Sequence, residues 1–467
     1  MPEQGAATDL VVFGASGDLA RRKIIPALHS LNGAGGRLRV VGAGRSQMSR
    51  EKFQELVAEA TQSRELAANA EWVKLDYDAP ASYAELRRVV GDDHSVVFYL
   101  ATPPKTFAGI LAALSEAGLA GRDLPGEHRI VVEKPLGQDA ASARRLNQQL
   151  KDLFNEDQVF RIDHYLAKDT VQNVLAFRFS NSIFEPVWNR TMVQSIEITV
   201  AEEIGIGNRA GYYDTIGAVR DMVQNHVLQV LALVTMEPPS TLEPSDIRKA
   251  KLELLRAVEP LDPAAAVRGQ YEGYLEEEGV RPDSRRETYA AARLRIENWR
   301  WDGVPIFVRT GKALRRQVTE VVVRWRDAPQ LAVGGQRQRP IPTLLVIRIQ
   351  PDEGITLRIG AKRPGPGFEM VPAGMKLEYR RLARLPLPDA YDNVLSEVLA
   401  GGHTVFPGGK EIERSWEIVD PLIASWESAG HPDLYAKGSW GPGAADDLVS
   451  GGSGGRWVNS GDEPGTS

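Results

Sequence analysis

The stretch DLVVFGASGDLARRKIIPAL, Asp9–Leu28, decides how the chain is read. It opens with an apolar, β-rich run, turns through Gly14 and Gly17, and continues with apolar residues at helical spacing. That is the strand, glycine turn and helix order of a nucleotide-binding βα unit. Glycines there let the backbone bend sharply and approach a pyrophosphate, whose charge rests on the amides at the helix start. Gly14 and Gly17 are the candidates for that approach, in a turn that runs through Ala15, Ser16, Asp18, Leu19, Ala20 and Arg21. The third glycine of the GxGxxG pattern is replaced by Ala20, and on this segment alone a plain strand-to-helix turn is the competing reading.

Working outward, the alternation continues. Strands are predicted at Leu10–Phe13, Leu38–Gly42, Trp72–Leu75, Val96–Ala101 and Ile130–Glu133, with helices at Leu19–Leu31, Arg50–Ser63 and Ala140–Leu153 between them. Strands separated by helical segments stack as βαβ units into a parallel sheet. After about Thr170 the rhythm changes. A helix over Val171–Phe179 leads to a strand over Ser195–Glu203, an apolar helix over Ala218–Val234 and a charged helix over Pro244–Val258. Period-two runs follow at Ala292–Trp299, Pro305–Gly311, Glu320–Trp325, Leu344–Gln350 and Ile355–Gly360, the pattern of a mainly antiparallel sheet. Two helices, Ala390–Ala400 and Lys410–Ala429, precede a Gly-, Ser- and Asp-rich stretch from about Gly438 that is expected to be loosely held. The fold class is thus α/β followed by α+β: a Rossmann-like domain over residues 1–170 and a larger domain over 171–467.

Composition narrows the function. With 467 residues, 42% hydrophobic and 25% charged, the chain has the balance of a globular protein. A net charge of -6 argues against nucleic-acid binding. The absence of cysteine removes disulfides, thiolate metal sites and cysteine nucleophiles, and no metal site is expected. No apolar run reaches a membrane span and no secretory leader is evident, so a cytoplasmic enzyme is expected.

Three further stretches carry chemistry. In RVVGAGRS, Arg45 follows the second strand where NAD enzymes carry an acidic residue, and an arginine there suits the 2′-phosphate of NADP, with NAD as the weaker alternative. In RIVVEKPLG, Lys134 stands at the carboxyl end of the fifth strand, where open α/β sheets place ligands, and the isomer of the bond to Pro135 is left open. RIDHYLAK, Arg161–Lys168, groups His164, Tyr165 and Lys168, three donors suited to a phosphate. The competing reading is a solvated junction loop.

Removing a hydroxyl proton as a hydride leaves calls for a base, and histidine is the natural one near neutral pH. Of seven histidines, His29, His94, His128, His403 and His431 stand without chemical neighbours and read as structural or surface groups. His226 shares an apolar helix with Asp221, Asn225 and Gln229, buried polar groups that need partners. A satisfied core histidine is the bland alternative. Asp163 is the carboxylate able to fix an imidazole's tautomer.

Taken together, FGASGDLARRK, VVEKPLG, RIDHYLAK, AEEIGIGNRAGYYD, RDMVQNHVLQ, FVRTGKAL and GSWGP resemble the glucose-6-phosphate dehydrogenases over nearly the whole chain. The resemblance implies oxidation of a sugar phosphate with hydride transfer to NADP, and a homodimer or homotetramer. It implies His226 as base with Asp163 orienting it. His164, Tyr165 and Lys168 would bind the phosphate, joined by Lys312, while Glu202 and Asp221 hold sugar hydroxyls. Lys134 and Lys23 would lie between cofactor and substrate, and Asp76 and Tyr77 near the adenosine. Two features depart from the family pattern. DHYLAKD stands for the usual DHYLGKE, and Gln317 occupies the position, five after Lys312, where a basic residue is usual, leaving Arg315 or Arg316 to supply the charge. The loose tail offers no clear ligands for the extra structural cofactor of the human enzyme.

Overall fold

Residues 8–31, 38–91, 95–122, 124, 127–329, 332–333, 336–337, 341–382, 389–453 and 456–459 are described by the computed structural model. They form two units. The first comprises Met1–Lys168, Pro239–Lys249 and Pro388–Glu413, and the second the remainder.

In the first unit, β1 (Thr8–Phe13), β2 (Leu38–Gly44), β3 (Glu71–Lys74), β4 (Ser95–Leu100), β5 (His128–Val132) and β6 (Val159–Arg161) form one sheet, in the order β3-β2-β1-β4-β5-β6. All five pairings are parallel. The order reverses between β1 and β4, the switch point at which doubly wound sheets open a crevice for a dinucleotide. Leu10, Val11, Val12 and Phe13 are fully buried, which explains the continuous apolar run in β1: a parallel sheet is covered on both faces. Asp9, also fully buried, is held by Arg39 through bonds of 2.7 and 2.5 Å across the β1–β2 register. The helix expected over Leu19–Leu31 is shorter, a π-type turn at Ala20–Ile24 passing into an α turn at Ile25–Ala27, where Pro26 contributes no N–H to the ladder. The short strand β6, absent from the sequence reading, carries the chain into RIDHYLAK.

In the second unit, nine strands form a mixed, mainly antiparallel sheet. They are β7 (Val193–Ala201), β8 (Ala266–Tyr271), β9 (Tyr289–Leu294), β10 (Ile306–Gly311), β11 (Val318–Trp325), β14 (Leu344–Gln350), β15 (Gly354–Lys362), β16 (Met370–Glu378) and β17 (Asp433–Tyr435). The two-residue strands β12 (Ala332–Val333) and β13 (Gln336–Arg337) form a separate hairpin. Across the sheet the order is β16-β15-β14-β11-β7-β10-β9-β8-β17, with β7–β10 and β8–β17 as the parallel pairs.

Three sequence expectations change here. The strand expected over Ala292–Trp299 runs Tyr289–Leu294; Ile296 makes an isolated bridge, and a turn at Asn298 sends Trp301 inward and leaves Trp299 on the surface. The helix expected over Ala218–Val234 is broken from its predecessor at Gly217 (φ 77°), winds as a π-type helix over Val219–Val227, and continues as an α-helix over Leu228–Thr235. The stretch after Gly438, expected to be loose, carries a helix at Ala444–Ser453 and buries Trp457.

Candidate active site

The glycine turn of the first unit is built for close approach. Gly14 has φ +78°, and a Cβ there would meet the Ala101 carbonyl oxygen at 2.7 Å, so only glycine fits. Its N–H donates to Ala43 O (2.7 Å), which fixes the turn against β2. Ala20, in the place of the third glycine, is fully buried, and a methyl group is accommodated there. The Ser16 and Ser46 hydroxyls lie 3.2 Å apart and join the turn to the loop of Arg45. The guanidinium carbon of Arg45 stands 5.5 Å from the centre of the Tyr77 ring, within cation–π range. Burial pushes the Tyr77 phenol upward, partly opposed by the charge of Arg45. Asp76 is committed to its own turn, with its N–H bonded to Ser82 Oγ and its Oδ1 accepting from Asp78 N. The turn, Arg45 and Tyr77 thus form one surface suited to an adenosine diphosphate, and the residues present fit a dinucleotide.

At the end of β5, Lys134 follows Glu133 and precedes a cis bond to Pro135. Glu133 is buried and accepts from the Tyr99 hydroxyl (2.7 Å) and the Tyr391 hydroxyl (3.1 Å). Burial raises its carboxyl above the ordinary range. Lys23 pairs with Asp389 at 2.8 Å. Burial would raise the Asp389 carboxyl, but the bonds from Lys23 and from Tyr391 N–H outweigh it and the net direction is down.

RIDHYLAK divides into supports and donors. Arg161 is buried and spent on Asn147 Oδ1 (3.0 Å) and Glu156 Oε1 (2.7 Å), so it is structural. Asp163 is buried, and its Oδ1 accepts from Tyr165 N (3.1 Å), shaping the turn. The His164 ring stacks on Tyr391 (6.3 Å, 16°) and meets Tyr165 edge-on (5.1 Å). The ammonium of Lys168 lies 4.5 Å from the centre of the Tyr165 ring. Three donors are thereby gathered on one turn. Asn393 Nδ2 donates to Ala167 O (2.8 Å), so that turn is held from Asp389–Asn393, a segment the sequence reading did not assign to the site.

The second unit gathers Glu202, Asp221 and Lys312. Lys312 Nζ pairs with Glu202 Oε2 and lies 3.4 Å from Asp221 Oδ2. It also lies 5.4 Å from the centre of the Tyr213 ring. Burial, with Asp221 nearby, holds the Tyr213 phenol well above its usual range. The loops interlock through the backbone: Glu202 N–H donates to Gly311 O (3.0 Å) and Leu314 N–H to Glu202 O (2.9 Å).

The π-type winding of Val219–Val227 sets how Asp221 and His226 are spaced around their helix. At 3.6 residues per turn, side chains five apart point about 140° away from each other; hydrogen bonding from i to i+5 returns them to one face. Of the other polar groups on this helix, Asn225 is consumed internally, accepting from His226 N (2.6 Å) and donating to Arg220 O (3.1 Å). Gln229 accepts from Lys251 Nζ (3.0 Å).

Two family models divide the chain between them: glucose-6-phosphate dehydrogenase, NAD binding domain, over residues 11–173, and glucose-6-phosphate dehydrogenase, C-terminal domain, over residues 175–458. The chain belongs to the glucose-6-phosphate dehydrogenase family. It is 40% identical over 479 residues to "Glucose-6-phosphate 1-dehydrogenase 2" of Mycobacterium tuberculosis, covering 95% of this chain and 93% of that one. The relative from Treponema pallidum is 40% identical over 488 residues, covering 96% and 94%. Among solved structures, glucose-6-phosphate dehydrogenase in complex with its substrate glucose-6-phosphate superposes with a TM-score of 0.89 at 34% identity, covering 98% of this chain and all of that one. The Mycobacterium avium enzyme gives 0.85 at 36% identity, covering 97% and 99%.

Against the family pattern, Ala167 is fully buried and Asp169 opens the helix Asp169–Phe179, where an acidic first turn is favourable. Neither change removes a charged donor. Gln317 is exposed; Arg316 lies 5.8 Å from the Trp440 ring centre, and Arg315 is exposed. Among the other histidines, His29 bonds Thr61 O and His128 bonds Leu119 O, as structural groups do. His403 bonds Asp157 O, His431 is exposed, and His94 lies outside the described residues.

Proposed function

We propose that this enzyme oxidises glucose 6-phosphate at its anomeric carbon to the 6-phosphoglucono-lactone, with NADP as acceptor. The observation that carries the reading is the meeting of Lys312, Glu202 and Asp221 in the second unit, with His226 on the same π-type helix as Asp221. NADP, when bound, takes up the hydride; Gly14 to Arg21, Arg45, Asp76 and Tyr77 would hold it, with Lys134 beside it. Preference for NADP over NAD rests on Arg45, backed by the Tyr77 ring and free of an acidic side chain at its own position.

His226 accepts the proton of the anomeric hydroxyl as the hydride departs, and Asp163 fixes the imidazole's tautomer. Glu202 and Asp221 accept bonds from sugar hydroxyls. His164, Tyr165 and Lys168 hold the phosphate dianion, Lys312 adds its charge, and Lys134 and Lys23 stand beside cofactor and substrate. The working form proposed is a cytoplasmic homodimer or homotetramer.

The test is a cofactor-reduction assay with glucose 6-phosphate and glucose, each with NADP and NAD. Comparable kcat/KM for the two sugars would sink the phosphate assignment. His226→Ala is expected to lower kcat at least about a hundredfold while leaving NADP binding intact, as for loss of a general base. Full activity in that variant would remove the mechanism.

A further inference from the structure

Asp221 and His226 stand on one element of the second unit and Lys312 on another, and both elements touch one dipeptide that the reaction does not otherwise use, Glu287–Thr288. The helix bearing Asp221 and His226 begins immediately after Gly217, whose φ of +77° breaks it from the preceding turns. A Cβ at Gly217 would come within 2.2 Å of Glu287 Oε1 and 2.5 Å of Arg286 Cδ, so any other residue there would displace the Glu287 side chain as well as strain the backbone. The break exposes the first amides of the new helix, which need acceptors. Ala218 N–H donates to Glu287 O (3.1 Å), and Val219 N–H donates to Glu287 Oε1 (3.3 Å). A carboxylate at a helix N-terminus is also favoured by the helix dipole. Arg286 NH1 stands 3.7 Å from Glu287 Oε2, and Arg220 also faces the carboxylate.

The next residue fixes Lys312. Thr288 O accepts from Lys312 N–H (2.9 Å), and the Tyr435 hydroxyl donates to Lys312 O (2.7 Å). The Thr288 hydroxyl is itself 3.0 Å from the Tyr435 hydroxyl and accepts from Tyr271 N–H (3.0 Å). One dipeptide therefore holds the start of the Asp221–His226 helix and the backbone N–H of Lys312, and through the Thr288 hydroxyl it meets the Tyr435 hydroxyl that holds the Lys312 carbonyl. Lys312 Nζ and Asp221 Oδ2, carried by these two elements, lie 3.4 Å apart.

We propose that Glu287 is a positioning residue for the sugar-phosphate site: its side-chain acceptor sets where the Asp221–His226 helix begins, and so how that helix faces Lys312. The inference rests on the reaction proposed above. It predicts that reach matters and charge does not, because Val219 N–H needs an oxygen at that distance and a glutamine supplies one.

The experiment compares the full-length wild type with Glu287→Asp and Glu287→Gln by steady-state kinetics in both substrates, with melting temperatures alongside. Glu287→Asp keeps the charge but withdraws the oxygen by one methylene. Its KM for glucose 6-phosphate is expected to rise at least about tenfold with a fall in kcat, while KM for NADP stays within about twofold, the scale of one lost buried hydrogen bond confined to the sugar side. Glu287→Gln is expected to restore both parameters to within about threefold of wild type, since the acceptor is kept. An unchanged Glu287→Asp, a parallel rise in both KM values, or a Glu287→Gln as impaired as Glu287→Asp would each overturn the proposal. So would failure of Glu287→Asp to fold, because a positioning role requires a folded enzyme that has lost only its aim. A wild type inert toward glucose 6-phosphate would sink the proposed reaction instead, which separates the two failures.

Discussion

Lys312 shows how much of the site a single residue concentrates. The residue after it, Ala313, adopts a left-handed backbone (φ 51°), a conformation that costs a non-glycine residue roughly 1–2 kcal/mol. That strain is sustained because Ala313 N–H is held by Ile204 O (3.0 Å) and Leu314 N–H by Glu202 O, so the turn locks the lysine loop onto the glutamate loop. The TGK stretch was legible in the sequence only through the family resemblance, since Glu202, Asp221 and Thr288 lie far from Lys312 along the chain. Glu287 and Tyr391 were not, since their partners, Val219 and Glu133, lie far away in sequence and no spacing rule links them. Gln317 is the residue-scale weakness. Arg316 is partly buried beside Trp440, and exposed Arg315 is the candidate substitute charge. Gln317→Lys is therefore expected to lower KM for glucose 6-phosphate about tenfold, the effect of one added charged hydrogen bond, and Arg315→Ala to raise it. Unchanged KM values in both variants would show that neither position reaches the phosphate.

At the scale of elements, apolar periodicity located the helix around His226 but not its winding, because a π-type turn differs from an α turn in hydrogen-bond register and not in composition. The same limit applies to the C-terminal stretch, where Gly, Ser and Asp content suggested looseness while one aromatic residue supplies an anchor. Trp457 is buried, its indole N–H donates to Ala445 O (2.9 Å), and its ring meets Phe307 edge-on at 6.1 Å. The buried guanidinium of Arg309 lies 4.4 Å from the Trp457 ring centre and 4.7 Å from that of Trp440, and it also bonds Asn459. Val458 N–H donates to Glu197 Oε2 (2.8 Å), a carboxyl that burial raises above its usual range. The segment thus ties down β7 and β10, the strands that lead to Glu202 and Lys312. Trp457→Ala should cost about 3–5 kcal/mol, as for other buried aromatic truncations, and is read as a lower urea midpoint, with Trp457→Phe falling less. A midpoint that does not move would mean that the anchor contributes nothing to the fold.

For the molecule as a whole, the notable feature is that the first unit is not built from consecutive sequence. Alternating strands and helices made its sheet legible from β1 to β5, yet the return of residues 389–413 to that unit has no local signature, since a helix at Ala390–Ala400 reads the same wherever it packs. Its contacts inside the unit are extensive. Arg129 NH1 donates to Val398 O and Leu399 O (both 2.8 Å), Asn147 Nδ2 to Gly409 O (2.9 Å), and Gly409 N–H to Glu156 Oε1 (3.0 Å). The His403 ring stacks on Phe160 at 4.2 Å. Without this segment the buried Glu133 carboxylate loses the Tyr391 hydroxyl, and unmatched buried polar groups are costly. A fragment ending at Lys168 is therefore expected to lack a cooperative melt and to bind NADP poorly. Because Asn393 Nδ2 lies 2.8 Å from Ala167 O, a short Gly/Ser linker from Lys168 to Asp389 can return the segment through Glu413, with only Pro239–Lys249 of the unit left out. That linked fragment is expected to regain a cooperative circular-dichroism melt and NADP binding. Equal melting and equal NADP affinity in the two fragments would show that the first 168 residues fold alone and that the returning segment only decorates them.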